Sequence, residues 1–378
     1  MRPFSCHVLP LLLLLILSGS FAGTAQGVAH PEKPLRARAY RAAIRQATHY
    51  LDSLRGQQHI PGLAITVAVG GAVVWQEGFG LADLENPTPV SSTSLFRVGS
   101  LSKSLTSVAL AQLVEQGKLD LDAPIQRYVP GFPPKPYPVT LRQLAGHLGG
   151  IRHYKGNESP MRTHYASVTQ SLSIFQDDSL LFEPGTRYSY SSYGWNLLSA
   201  AIETASGQPF TTYMAQHVFG PLHLAHTRPD FSDSLLPGRT GYYQWSRRRK
   251  VIVVAPWEDV SYKWAGGGFL STSADLATLG QALLSGRLLR PETTRLLFTS
   301  QRTRDGQETG YGLGWRTGRD AHGRRIVHHG GTASGGRAFL LLYPDQNVVL
   351  GITTNLTNPD FAEVEMGKIV DLFINARP

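Results

Sequence analysis

Strand-forming segments stand at both ends of this chain and helix-forming segments fill its middle, a separation that restricts the folds open to it. The runs 63–69 and 72–76 are apolar and rich in β-branched residues, and Gly70-Gly71 between them suits the positive φ angles of a two-residue hairpin turn. At the other end, 325–329, 337–343 and 348–354 read as three strands, with Pro344-Asp345-Gln346-Asn347 turning the last pair. Tyr40, Ala43, Ile44, Ala47, Tyr50, Leu51 and Leu54 recur at helical spacing ahead of the first strands. A closing helix is expected with Asn358 as N-cap, Pro359 at its first position and Phe361, Val364, Ile369, Leu372 and Phe373 on its apolar side. Between the ends, 102–116, 194–205 and 274–284 read as helices separated by Pro- and Gly-rich loops. The pattern predicts an α/β (α+β) fold. Segments 39–98 and 305–378 form a discontinuous antiparallel sheet domain flanked by helices, and 99–304 form a mostly helical insertion. A cleft is expected where the two meet.

With 378 residues, 42% of them hydrophobic and 17% charged, the chain is a folded protein rather than a disordered, collagenous or disulfide-scaffold one. The net charge of +9 is spread along the sequence, which speaks against a nucleic-acid-binding face. Its one tight run, Arg247-Arg248-Arg249-Lys250, reads as a solvated surface turn. Residues 1–25 read as a secretory signal peptide: Arg2, an apolar run over 11–17, then small residues with a cut after Ala22 or Ala25. That apolar run is short for a bilayer span, so no stable membrane insertion is expected after cleavage. A polar linker, 26–38, follows. The single cysteine, Cys6, leaves with the signal, so neither a disulfide nor a thiolate nucleophile is expected. The implied location is secreted or periplasmic, and the oligomeric state is left open.

Ser100 and Lys103 stand three apart at the predicted start of a helix, so one turn places the hydroxyl and the amine on the same face. The helix N-terminus there favours negative charge. Such a Ser-x-x-Lys is unspecific by itself, since an N-capping serine beside an exposed lysine has the same pattern. Two further segments accompany it: Glu183-Pro184-Gly185-Thr186-Arg187-Tyr188-Ser189-Tyr190-Ser191-Ser192 and His329-Gly330-Gly331-Thr332.

With these three segments in this order, the chain resembles the serine β-lactamase and D,D-peptidase superfamily, in particular its class C-like branch with esterases and D-aminopeptidases. Phe96-Arg97-Val98-Gly99, Leu144-Ala145-Gly146-His147, Gly266-Gly267-Gly268-Phe269 and Tyr311-Gly312-Leu313-Gly314-Trp315 resemble landmarks of that family as well. Gly150-Ile151-Arg152-His153-Tyr154 is similar to the serine β-lactamase-like proteins of mitochondria and their bacterial relatives. The resemblance implies a β-lactamase-like fold and a serine hydrolase acting on esters or D-amino-acid-type amides and peptides. It also implies that Ser100 is the nucleophile and that Lys103, its pKa depressed by burial and a neighbouring cation, holds its proton. Tyr190 would share general-base work with Lys103 and act as acid toward the leaving group. The oxyanion hole would be the N–H groups of Ser100 and Thr332, with Gly330 and Gly331 beside it. His329 replaces the lysine of Lys-Thr-Gly and would hydrogen-bond Tyr190 and meet a substrate carboxylate. His328 would face the other side of the strand as a structural residue.

Two departures put efficient β-lactam hydrolysis in doubt: Ser192 where the family has an asparagine that holds the substrate amide, and Gly149 where it often has serine. The competing reading is a binding or assembly protein on the same fold with vestigial catalysis. No Gly-x-Ser-x-Gly elbow, dinucleotide loop or phosphate loop occurs, and no His or Glu stands at ligand spacing to His328-His329. No metal or cofactor is expected, and the partner expected is a small-molecule or peptide substrate.

Overall fold

The computed structural model describes residues 33–361 and 363–376. The signal peptide expected over 1–25, Cys6 and most of the 26–38 linker lie outside them. The strands, in chain order, are β1 (Leu35–Arg36), β2 (Gly62–Val69), β3 (Ala72–Asp83), β4 (Thr88–Pro89), β5 (Phe96–Arg97), β6 (Arg228–Pro229), β7 (Tyr243–Ser246), β8 (Val251–Val254), β9 (Phe269–Ser271), β10 (Arg316–Arg319), β11 (Arg325–Ala333), β12 (Gly336–Tyr343) and β13 (Val348–Thr354). The α-helices are α1 (Arg41–Gln57), α2 (Ser102–Glu115), α3 (Leu141–Ala145), α4 (Tyr193–Ser206), α5 (Phe210–Tyr213), α6 (Trp264–Gly267), α7 (Ser273–Leu284), α8 (Pro291–Leu297) and α9 (Glu363–Asn375).

The main sheet is antiparallel in the order β1-β3-β2-β13-β12-β11-β10, with β4 added to the far end of β3. The two chain ends meet where β2 pairs with β13, in a register running from Val348↔Val69 to Thr354↔Leu63. Both strands are buried along their whole length, as is β12 apart from Arg337, because the sheet is covered on two faces. Alternation along the strands divides their side chains between two cores. Leu63, Ile65, Val67, Leu341, Leu350 and Ile352 pack with Ile44, Ala47 and Leu51 of α1 and Met366, Ile369 and Phe373 of α9. Ala68, Ala338, Leu340, Leu342 and Val349 pack with the central helices α2, α4 and α7.

Small residues set the spacing on that second face. Thr66 Oγ1 and Ser273 Oγ lie 2.9 Å apart across the β2–α7 contact. At Gly351 a Cβ would sit 2.7 Å from the Ser273 carbonyl oxygen, so α7 rests directly on the strand backbone.

Several local expectations are corrected. Leu35 and Arg36, expected in the linker, pair with Gln76 and Trp75 as an edge strand. Besides its helices the middle segment also carries the β7-β8 hairpin and strands β6 and β9, which form a small sheet with β5 from the preceding segment. Asn358 is not an N-cap: it has φ +49°, whereas an N-cap is extended, and α9 begins only at Glu363. The left-handed turn at Asn358 drops Phe361 into the core before the helix starts. Val364, expected on the apolar side, is 62% exposed, because the buried stripe of α9 runs through Met366, Ile369, Val370 and Phe373.

Gly351→Val is expected to destabilise the protein by about 1–3 kcal/mol, as overpacking against backbone does. A urea-unfolding midpoint indistinguishable from that of the unsubstituted protein would refute this account of the α7 contact.

Candidate active site

Strand β5 ends beneath the sheet edge, and a 3-10 turn, Gly99–Leu101, carries the chain into α2. Every residue of α2 from Ser102 to Ala111 is buried, including the polar ones. Those polar side chains are satisfied locally: Ser104 Oγ donates to Gly314 O (2.7 Å), Ser107 Oγ donates to Ser104 O (2.8 Å), and Ser102 Oγ accepts from Phe269 N (3.2 Å). Ser100, at the head of this buried helix, is partly exposed and faces a cleft of about 650 Å³.

Lys103 is the next residue on that face, fully buried, with Nζ 3.0 Å from Ser100 Oγ, 3.0 Å from Ser192 Oγ and 2.6 Å from Gly266 O. Burial drives its pKa well below the ordinary lysine value, and the positive charges of Lys263 and Arg316 push in the same direction. A neutral amine has two hydrogens and one lone pair. The Gly266 carbonyl and Ser192 Oγ take the hydrogens, which leaves the lone pair for the Ser100 hydroxyl.

Tyr190 completes the group. Its hydroxyl hydrogen-bonds Ser100 and its ring covers Lys103 Nζ at 4.9 Å. Two histidines pin the segment that carries it: Ser191 N–H donates to His147 Nδ1 (3.1 Å) and Ser192 N–H to His153 Nδ1 (3.2 Å). His147 also packs its ring 4.2 Å from that of Tyr190. Burial raises the Tyr190 pKa, so the phenol keeps its proton at neutral pH. Burial first, then Lys103 and Lys263, pushes His153 down to about 4, so it is neutral too.

Strand β11 supplies the opposite wall. The pair Ala333–Gly336 closes the two-residue turn at Ser334-Gly335, and hydrogen-bonded pairs then alternate along the ladder. Thr332 and Gly330 therefore direct their N–H and C=O groups away from β12, and β10 pairs only as far as His328, so this edge is open. Gly331 lies directly against the nucleophile turn: a Cβ there would sit 1.8 Å from Val98 O and 2.8 Å from Ser100 N. This contact sets the Ser100 turn against the backbone of Gly331 and Thr332.

The structure places two of the expected groups differently. His329 is not bonded to Tyr190. Its Nδ1–H donates to Gly330 O (2.6 Å), so its Nε2 accepts from the Tyr311 hydroxyl (2.8 Å), while its ring lies 6.4 Å from that of Tyr190. Burial holds its pKa well below the usual histidine value, so it offers no cation to a carboxylate. Ser192 borders the cleft, but its hydroxyl is engaged with Lys103 rather than aimed at a substrate amide. His328 stacks on Phe339 at 5.3 Å and borders the cleft. Among the described residues no group of His, Cys, Asp or Glu has metal-site geometry.

Residues that sequence reasoning passed over complete the site. Arg316, one residue past the Tyr311–Trp315 landmark, lines the cleft on β10. Lys263 is buried and ion-paired with Glu258, which lies 3.8 Å from Arg97; Arg97 in turn holds Asp230 at 2.6 Å. This chain of charges runs from the cleft floor to β5, immediately ahead of Ser100.

A scan against family profiles matches residues 41–372 to the beta-lactamase family. The serine beta-lactamase-like protein LACTB, mitochondrial, of Mus musculus is 31% identical over 420 aligned positions, covering 85% of this chain and 76% of the relative. The octameric penicillin-binding protein homologue from Pyrococcus abyssi superposes with a TM-score of 0.78 at 22% identity, over 87% of this chain and 77% of the other. EstCE1, a hydrolase with promiscuous acyltransferase activity, superposes with a TM-score of 0.74 at 22% identity, over 89% and 99%. With a profile spanning nearly every described element and a relative matched along most of both chains, this protein belongs to the beta-lactamase family, within the serine β-lactamase and D,D-peptidase superfamily of serine hydrolases.

Proposed function

We propose that this protein hydrolyses esters or D-amino-acid-type amides and peptides through an acyl-enzyme on Ser100, with weak or no turnover of β-lactams. The observation that carries this reading is the buried Lys103 amine, its Nζ within hydrogen-bond distance of Ser100 Oγ, Ser192 Oγ and Gly266 O and its pKa lowered by burial. In acylation the Ser100 proton moves to Lys103 Nζ as Oγ bonds to the carbonyl carbon. The N–H groups of Ser100 and Thr332 hold the oxygen that becomes negative. Collapse breaks the bond to the leaving group, which takes its proton from the Tyr190 hydroxyl, and Tyr190 is reprotonated by the Lys103 ammonium. Water then repeats the sequence to release the acid and restore Ser100.

Lys103 rather than Tyr190 acts as the resting base, because burial moves the two pKa values in opposite directions: the amine loses its proton and the phenol keeps it. Substrate preference follows from position 329. A lysine there would place a charge beside the β11 edge, whereas His329 is neutral with both nitrogens occupied. Arg316 is the cation left to meet an anionic group, since Lys263 is paired with Glu258 and Arg337 with Thr332 Oγ1 and Phe361 O. The charged start, apolar run and small-residue exit of 1–25 support export as part of the same proposal, whereas the name of the mouse relative assigns that protein to mitochondria.

Ser100→Ala is expected to lower turnover by about three orders of magnitude or more and to abolish labelling by a fluorophosphonate probe, read by intact-protein mass spectrometry. Labelling at another residue with turnover retained would overturn the assignment.

The pH profile of kcat/KM tests the base. Below the lowered Lys103 pKa the amine is protonated and cannot accept the serine proton, so activity falls as pH drops through that value. Lys263→Met removes a cation that depresses Lys103, so the acid limb moves to higher pH; an unmoved limb would show that Lys263 does not act on the base.

Arg316→Ala should raise KM for carboxylate-bearing substrates roughly tenfold or more, the value of a hydrogen bond to a charged group, and leave small neutral aryl esters nearly unaffected. Parallel assays of the unsubstituted protein should show faster hydrolysis of those esters than of cephalosporins. The reverse ranking would refute the preference.

A further inference from the structure

We propose that the β7–β8 hairpin seats this protein on anionic lipid bilayers, with the rim of the cleft held at the membrane surface. The strands of the hairpin pair from Tyr243↔Val254 to Ser246↔Val251 and belong to neither of the other sheets. Its base is fixed: Tyr243 is buried, Tyr243 N–H donates to Asn355 O (3.1 Å), Thr357 N–H to Tyr243 O (2.8 Å), and Ala255 N–H to Tyr242 O (2.8 Å). Its tip is Arg247, Arg248, Arg249 and Lys250, four exposed cations in succession, and no carboxylate among the described residues pairs with any of them.

Apolar side chains are exposed beside this tip at Val251 and at the base of the hairpin at Val254 and Trp257. Val251 is 41% exposed, Val254 63% and Trp257 51%. An isolated exposed apolar residue needs no explanation, but a tryptophan and two valines within seven positions of four unpaired cations do. Cations alone would serve a soluble phosphate polymer. Cations with a tryptophan and aliphatic residues suit the lipid headgroup boundary, where charge meets anionic phosphate and the rings and methyls enter the acyl edge. The hairpin borders the candidate active site, because Gln244 on β7 and Pro256 just after β8 line the cleft. A protein resting on this tip would therefore present its cleft to molecules in or near the bilayer.

The test is co-sedimentation of the full-length chain with phosphatidylcholine vesicles, with and without phosphatidylglycerol. Binding is expected only when the anionic lipid is present, and it should weaken steeply with salt. Each basic residue near an anionic surface is worth about fivefold in partition, so replacing Arg247, Arg248, Arg249 and Lys250 together by serine should weaken binding several hundredfold. Those four side chains lie outside the cleft, so the thermal unfolding midpoint should stay in place. Val254→Ser with Trp257→Ser should weaken binding while leaving its salt dependence intact. Three outcomes would each overturn the proposal: equal binding to neutral vesicles, anionic binding that survives the four-residue substitution and so belongs to another segment, and binding of duplex DNA or polyphosphate without binding of vesicles.

Discussion

The interaction on which the rest of the structure depends is the burial of one amine. Lys103 has no exposed surface; loss of water lowers its pKa, and its buried hydrogens still need acceptors inside the protein. The Gly266 carbonyl from α6 and the Ser192 hydroxyl ahead of α4 meet it from two separate elements. Both helices pack on α2, so the helical core serves to place two acceptors beside one nitrogen. The Lys263–Glu258–Arg97–Asp230 chain extends the same constraint outward, tying a second cation near Lys103 to the strand that delivers Ser100.

The second requirement is an open sheet edge at the right distance from that helix. Strand β11 runs on past the end of β10, leaving Gly330 and Thr332 with outward backbone groups, and Gly331 allows the edge to touch the nucleophile turn. At this edge His329 has been turned inward by Tyr311 and its own neighbour's carbonyl. Positive charge in the cleft is carried instead by Arg316 on the adjoining strand and by Lys263 and Arg337. Arg316 lies off the Ser100–Lys103–Tyr190 group but lowers the Lys103 pKa through its charge, so it bears both on the amine and on the groups that can select a substrate.

Catalysis and surface charge are segregated in this molecule. Inside the site burial shifts Lys103, Tyr190, His153 and His329 toward their neutral forms, whereas four exposed cations in succession stand on a hairpin tip beyond the cleft rim. A low-dielectric interior strengthens the first set and water screens the second, so the two can act without disturbing one another.

The sequence by itself determined what depends on near neighbours and on periodicity. Alternation and turn residues located β2, β3, β12 and β13, and helical spacing located α1, α2, α4 and α7. The three-residue spacing of Ser100 and Lys103 fixed their shared face, since a helix imposes that geometry wherever it lies. The start of α9 was misread because a proline after an asparagine suits a helix start, while the positive φ of Asn358 is imposed by the burial of Phe361. Only the tertiary structure decided which partners the site residues take. The acceptor of Lys103 at Gly266 is 163 residues away, and Tyr311 reaches His329 across a strand turn. No periodicity encodes such pairs. They exist because the sheet joins the two chain ends and the helices between them pack closely against it.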